Sequence, residues 1–239
     1  MIRHVLFVVV SFSIVVACAA DQPLRPDGTQ DVAIDDLPEP TEPVANLIEA
    51  GNVTFCTGQK PWKAMDKPQS QVALAKLGYQ LEAETKLDLH CDYRSRTRWR
   101  IRRDGSQRIL LITISYKSVG LKHRHDIWLK RLPAKEKFWS DRVVLHELDH
   151  VRISSNPYFA KRFTEKLRET KILRHPLSDG DEVGDEMVNR LVDEHVHKIY
   201  REISELVSIR YKELDRITRH GIDPIPAESK LTDWLQHDD

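Results

Sequence analysis

The chain lacks any long apolar run after residue 16. The one it has, at residues 6–16, is about half of the ~20 residues a helix needs to cross a bilayer. A stable helical membrane span is therefore not expected. Cysteine is scarce, with three in the whole sequence, and neither Cys56 nor Cys91 stands in a Cys-x-x-Cys or helix-start setting that would lower a thiol pKa. That argues against a thiolate enzyme. Net charge is also missing, with 37 basic against 37 acidic side chains, and the absence of a recognisable binding motif argues against a nucleic-acid partner. The exception is local: residues 94–142 are basic and include Arg94, Arg96, Arg98, Arg100, Arg102 and Arg103. Such a stretch suits a solvated strand face or attraction to an anionic envelope surface.

What is present at the N-terminus has the layout of a bacterial signal peptide, expected over residues 1–17: a short positive start, the apolar run, then small residues. Val15-Val16-Ala17-Cys18 resembles the lipobox of bacterial lipoproteins, in which Cys18 would be acylated and become the first mature residue. Ordinary cleavage near Ala19 or Ala20, giving a secreted or periplasmic product, is the alternative. Residues 21–43 carry five prolines and almost no large apolar side chain, so residues 18–45 read as a disordered tether between membrane and domain. In an oxidising compartment the two remaining cysteines, Cys56 and Cys91, are expected to form a disulfide.

Residues 46–239 are long enough for one core and short for two. They read as an α+β domain in which an N-terminal antiparallel β-sheet region (46–132) packs with a long C-terminal helical hairpin (133–221), followed by a tail (222–239). Alternation at Trp99-Arg100-Ile101-Arg102 and the β-branched run at 109–116 predict strands, with a short helix expected at 69–77. After Pro133 the apolar period becomes helical and carries through residue 150. Ser154-Ser155-Asn156-Pro157 predicts a helix break, His175-Pro176-Leu177-Ser178-Asp179-Gly180 a turn, and residues 183–220 a long helix stopped by Gly221.

The segment most informative about chemistry is His146-Glu147-Leu148-Asp149-His150. Residues four apart on a helix share a face, so His146 and His150 can offer nitrogens to one Zn²⁺ while Glu147 lies beside them. In a zinc hydrolase of this pattern Glu147 would accept the proton of the attacking water and return it to the leaving amine. The longer form of the motif fails, because Ile153 and Asn156 stand where a glycine and a third histidine would be. Candidates for the third ligand are Glu194, His195, His197 and His220. Positions 194 and 220 would lie nearly 40 Å apart on one helix, so only one end can reach the metal.

These residues resemble a bacterial domain-of-unknown-function family of predicted secreted zinc-dependent proteases, zincin-like proteins with an HExxH motif. The resemblance rests on 127–133, on Trp139 and Val144 leading into 146–150 with Ile153 after it, and on the closing Leu214-Asp215-Arg216-Ile217-Thr218-Arg219-His220-Gly221. It covers about residues 50–225. It implies His220 as third ligand, ahead of Glu194, another residue or water, and Asp215 and Thr218 as groups that orient His220. The chain departs from the family with Leu214 in place of tyrosine and Asp149 in place of glycine; Arg152 is the nearby candidate partner for Asp149. The implied activity is a cell-envelope, zinc-dependent endopeptidase acting on polypeptide, held by a lipid anchor at Cys18. A zinc-dependent peptidoglycan amide hydrolase and a non-enzymatic envelope lipoprotein binding a partner or a structural metal are the alternatives. Strand 109–116 is expected to offer an exposed edge to an extended peptide.

Overall fold

A computed structural model describes residues 28–61 and 82–236. The segment expected to be a signal peptide, Cys18 and the short helix expected at 69–77 lie outside those residues. The expected α+β class is found: one mixed five-stranded sheet with helices packed against it. No described helix is long and apolar enough to cross a membrane.

Two very long strands, β3 (Ala83–Asp104) and β4 (Gln107–Leu129), form the spine of the sheet. They pair antiparallel from end to end, with one irregularity at Arg94/Ser95. Their connection is the two-residue loop Gly105-Ser106, and Gly105 takes φ +61°, the left-handed conformation that tight hairpin loops require. β2 (Val53–Gly58) runs parallel to one end of β4, and β1 (Thr29–Val32) closes antiparallel on β2. β5 (Ile172–Leu177) pairs with the other end of β4, opposite residues 108–113.

Four of the expectations need correction. Residues 29–45 belong to the domain rather than to a tether: Thr29 is fully buried in β1, Val32 and Leu37 pack on the core, and Trp139 donates its indole N–H to Pro38 O at 2.6 Å. The first helix, α1 (Glu42–Gly51), also starts in that stretch. The helical half is not a simple hairpin, because Ile172–Leu177, which takes the first half of the expected turn, is strand β5 paired on the edge of β4, and the turn itself falls at Asp179-Gly180. Strand 109–116 offers no free edge at residues 109–113, since β3 and β5 flank it on both sides.

The fourth correction is the disulfide, because Cys56 and Cys91 are not joined. They lie opposite Trp128 and Leu121 of β4, positions roughly 23 Å apart at about 3.3 Å per residue. A disulfide requires Cα atoms within about 7 Å.

Four helices complete the domain: α2 (Arg142–Ser154), α3 (Pro157–Glu169), α4 (Asp185–Ile217) and α5 (Lys230–Gln236). Asp141 caps α2 by accepting from Val143 N and Val144 N. The expected break falls where proline dictates, with α2 ending at Ser154 and Asn156 capping α3 ahead of Pro157. One core cluster joins Leu110, Ile112 and Ile114 of β4 to Phe163 and Leu167 of α3 and to Ile199, Ile203 and Leu214 of α4. A second joins Phe55, Ile127 and Phe138 to Val144, Leu148 and Val151 of α2. The tail is not loose, since Leu231 of α5 is fully buried in the first cluster.

Candidate metal centre

Helix α2 is buried almost all round, yet five of its buried side chains are polar: His146, Glu147, Asp149, His150 and Ser154. Unpartnered polar groups are costly in an interior, so their partners define the site.

His146 Nε2 and His150 Nε2 both lie 3.2 Å from the same oxygen, Oδ1 of Asp215, which the last turn of α4 brings over α2. The three ligand atoms lie within 4.8 Å of one another. At zinc–ligand distances of about 2.0–2.1 Å, the edge of a tetrahedral site is about 3.3 Å, so the two measured separations match a His-His-Asp donor set. Asp215, expected to orient His220, is thus the carboxylate that could serve as the third donor. His220, expected in that role, has its Nδ1 3.8 Å from the same oxygen and is not part of the close triad. Glu194 is on the exposed part of α4, 3.9 Å from Arg190; at 1.5 Å per residue it is about 30 Å from Asp215 and cannot contribute. His197 is exposed beside it, with Tyr200 and Arg201. His195 is half-buried, its Nε2 without a partner among the described residues.

The tautomer of His146 is set by Thr218, which is fully buried. The single hydroxyl proton of Thr218 goes to Leu214 O at 2.7 Å, and the oxygen accepts from Gly221 N at 3.2 Å. Its 3.4 Å contact with His146 Nδ1 therefore requires a proton on Nδ1. In a neutral ring Nε2 then offers a lone pair toward Asp215, the arrangement a bound cation would use; without an ion, Nε2–H donates to Asp215 Oδ1 at 3.2 Å. Thr218, expected to orient His220, thus contacts His146 instead.

His150 is held differently. Its Nδ1 has no partner among the described residues, and the ring is fixed by edge packing on Tyr211, with centroids 4.5 Å apart. Tyr211 sits one turn before Asp215 on α4, donates to Ser154 Oγ at 2.9 Å, and Ser154 Oγ lies 2.6 Å from His125 Nε2. His125 Nδ1 in turn donates to Gly51 O at 2.5 Å. Burial, the largest influence, pushes His125 down to about 4. It is therefore neutral at pH 7 with its proton on Nδ1, and Nε2 accepts from Ser154.

Charge at the site is negative. Burial alone would raise the Asp215 carboxyl, but hydrogen bonds from His146 and His150, and then their charges, outweigh it and hold the group well below the ordinary carboxylate range. Burial alone would likewise depress His150, but the Asp215 hydrogen bond and the charges of Glu147, Asp215 and Asp149 leave its proton affinity raised. Glu147 Oε2 accepts from Thr85 Oγ1 at 2.6 Å, a contact from β3 that sequence reasoning had no signal for. Asp149 is buried, which raises its pKa, and it pairs with Arg152 Nη1 at 2.6 Å.

The end of α4 is shaped to close over His146. Arg219, His220 and Gly221 take φ of 50°, 55° and 84° in succession. A Cβ at Gly221 would stand 2.8 Å from His146 Cγ, so only glycine lets the chain pass there. Strain of this kind, in non-glycine residues next to a ligand cluster, is characteristic of functional sites. Comparison with protein-family models, with curated proteins and with solved structures finds no match for the chain.

Proposed function

We propose that the chain is a zinc-dependent hydrolase of amide bonds, acting as an endopeptidase outside the cytoplasm, with His146, His150 and Asp215 holding the ion and Glu147 moving the proton. The observation that carries this reading is the convergence of two imidazole nitrogens on one carboxylate oxygen at 3.2 Å, one of them with its lone pair directed there by Thr218. When bound, the ion would polarise the substrate carbonyl and acidify its water. Glu147 is anchored through one oxygen by Thr85, leaving the other to take a proton from the attacking water and return it to the leaving amine nitrogen. Tyr211 and Thr218 keep the two imidazoles oriented, and the buried setting strengthens each electrostatic contact. Among the described residues β3 pairs only with β4, so the edge of β3 near Thr85 is the place where an extended peptide would add as a strand. An envelope location, with Cys18 as lipid anchor, rests on the N-terminal sequence alone.

The test is direct. Purified protein stripped with chelator is expected to regain one zinc per chain and, with it, cleavage of a peptide library; Glu147→Gln is expected to keep the zinc and lose the cleavage. Full cleavage by Glu147→Gln would overturn the mechanism, and Asp215→Ala with unchanged zinc affinity would overturn the donor set.

A structural metal is the second reading, favoured by His220 Nδ1 at 3.8 Å from Asp215, near enough for a small movement to make it a fourth protein ligand and close the site. A hydroxamate inhibitor separates the two readings: it binds a zinc with an open position and not a closed one.

A further inference from the structure

We propose that the outer face of the β3–β4 arm, where it is crossed by β5, is a docking surface for anionic lipid bilayers. Strand alternation puts Arg96, Arg98, Arg100 and Arg102 on one face of β3, successive guanidiniums about 6.7 Å apart along the strand, and all four are exposed. The pairing register extends this face in transverse rows. Arg98 lies opposite Thr113 and that opposite Ile172, and Arg100 lies opposite Leu111 and that opposite Arg174. The other face of the same strands is closed, with Leu110 and Ile112 fully buried against the helices. The arginine face is covered by no helix among the described residues. One carboxylate, Asp104, ends this face beside Arg102, and Asp92, paired with Lys122, lies further back on the arm.

Two features of this one face select a bilayer as the occupant: its row of arginines, and the apolar groups interspersed with them, Ile172 being 52% exposed and Leu111 half-buried. A plane of phosphates above an acyl layer satisfies both, guanidiniums taking the headgroups while their stems and the apolar residues enter the boundary. The arginine face has no aromatic ring on which a base could stack. From Thr85 to Arg98 along β3 is roughly 43 Å, so the docking face and the metal centre occupy different ends of the strand. The surface is independent of the proposed hydrolase.

Sedimentation of the full chain with vesicles of phosphatidylcholine, with and without phosphatidylglycerol, tests this. Binding to phosphatidylcholine alone measures whatever residues 1–27 contribute and is subtracted. The expected result is a phosphatidylglycerol-dependent increment that falls with salt. It should drop by at least about 100-fold in R98E/R100E/R102E at unchanged thermal stability and survive in R98K/R100K/R102K. An increment unchanged by the glutamate substitutions overturns the proposal. So does displacement from the vesicles by a single-stranded oligonucleotide or an acidic peptide at equal charge, which would make the face a general polyanion site.

Discussion

Two glycines with similar backbone angles separate what a conformation costs from what a contact costs. Gly105 at φ +61° has nothing within 4 Å of a built Cβ, whereas at Gly221, φ +84°, the Cβ would stand 2.8 Å from His146. Gly105→Ala should lose about 1 kcal/mol from the backbone alone and leave zinc binding untouched. Gly221→Ala should in addition push His146 off its position and weaken zinc binding by about 10–100-fold, as loss of a ligand's support does. Denaturant unfolding and zinc titration of both variants check this; equal zinc affinities would mean that Gly221 serves only the turn.

At the scale of elements, the brace from α1 through β4 to α2 runs through His125, which is fully buried between Gly51 O and Ser154 Oγ. Its pKa is lowered from 6.5 to about 4, chiefly by burial. The unfolded chain therefore binds this proton at higher pH than the folded one. The contribution is fully present above about pH 6.5 and is lost as pH falls towards 4, a change of about 3 kcal/mol over the window. Stability measured from pH 7 to pH 4.5 should fall with that sign in the native protein and fall less in His125→Asn. An identical slope in the variant would assign the acid sensitivity elsewhere, and not to Asp215, whose depressed pKa costs stability only at lower pH still.

For the whole molecule, the donor set joins α2 to the last turn of α4, a helix of 33 residues that spans about 50 Å. An ion held by His146, His150 and Asp215 therefore fastens the end of α4, and the turn after it, to the centre of the domain. Zinc at 100 times its dissociation constant should add about 2.7 kcal/mol to the folded state. Thermal unfolding with zinc and with chelator should show the difference in the native protein and none in Asp215→Ala; a zinc-dependent shift that persists in that variant would place the ion elsewhere.

Much of this was legible in the residues themselves. The strand and helix halves, the helix through 146–150 and the break before Pro157 follow from local periodicity and from proline, which act within a few residues. His146, Glu147 and His150 are legible for the same reason, since positions one turn apart on a helix share a face wherever it packs. Asp215 and Thr218 were singled out, but their division of labour was not, because whether a carboxylate at 215 or an imidazole at 220 meets the two histidines depends on how the left-handed turn at 219–221 lies over α2. Thr85 carried no signal at all, being 62 positions from Glu147 and brought to it only by β3 crossing under α2. The disulfide expectation failed for the same reason. Cysteine count speaks of a compartment's chemistry, while the distance between Cys56 and Cys91 is set by the register of strands on either side of β4. Local patterns decide which segments form helix or strand; only the packing of segments distant in sequence decides which side chains meet.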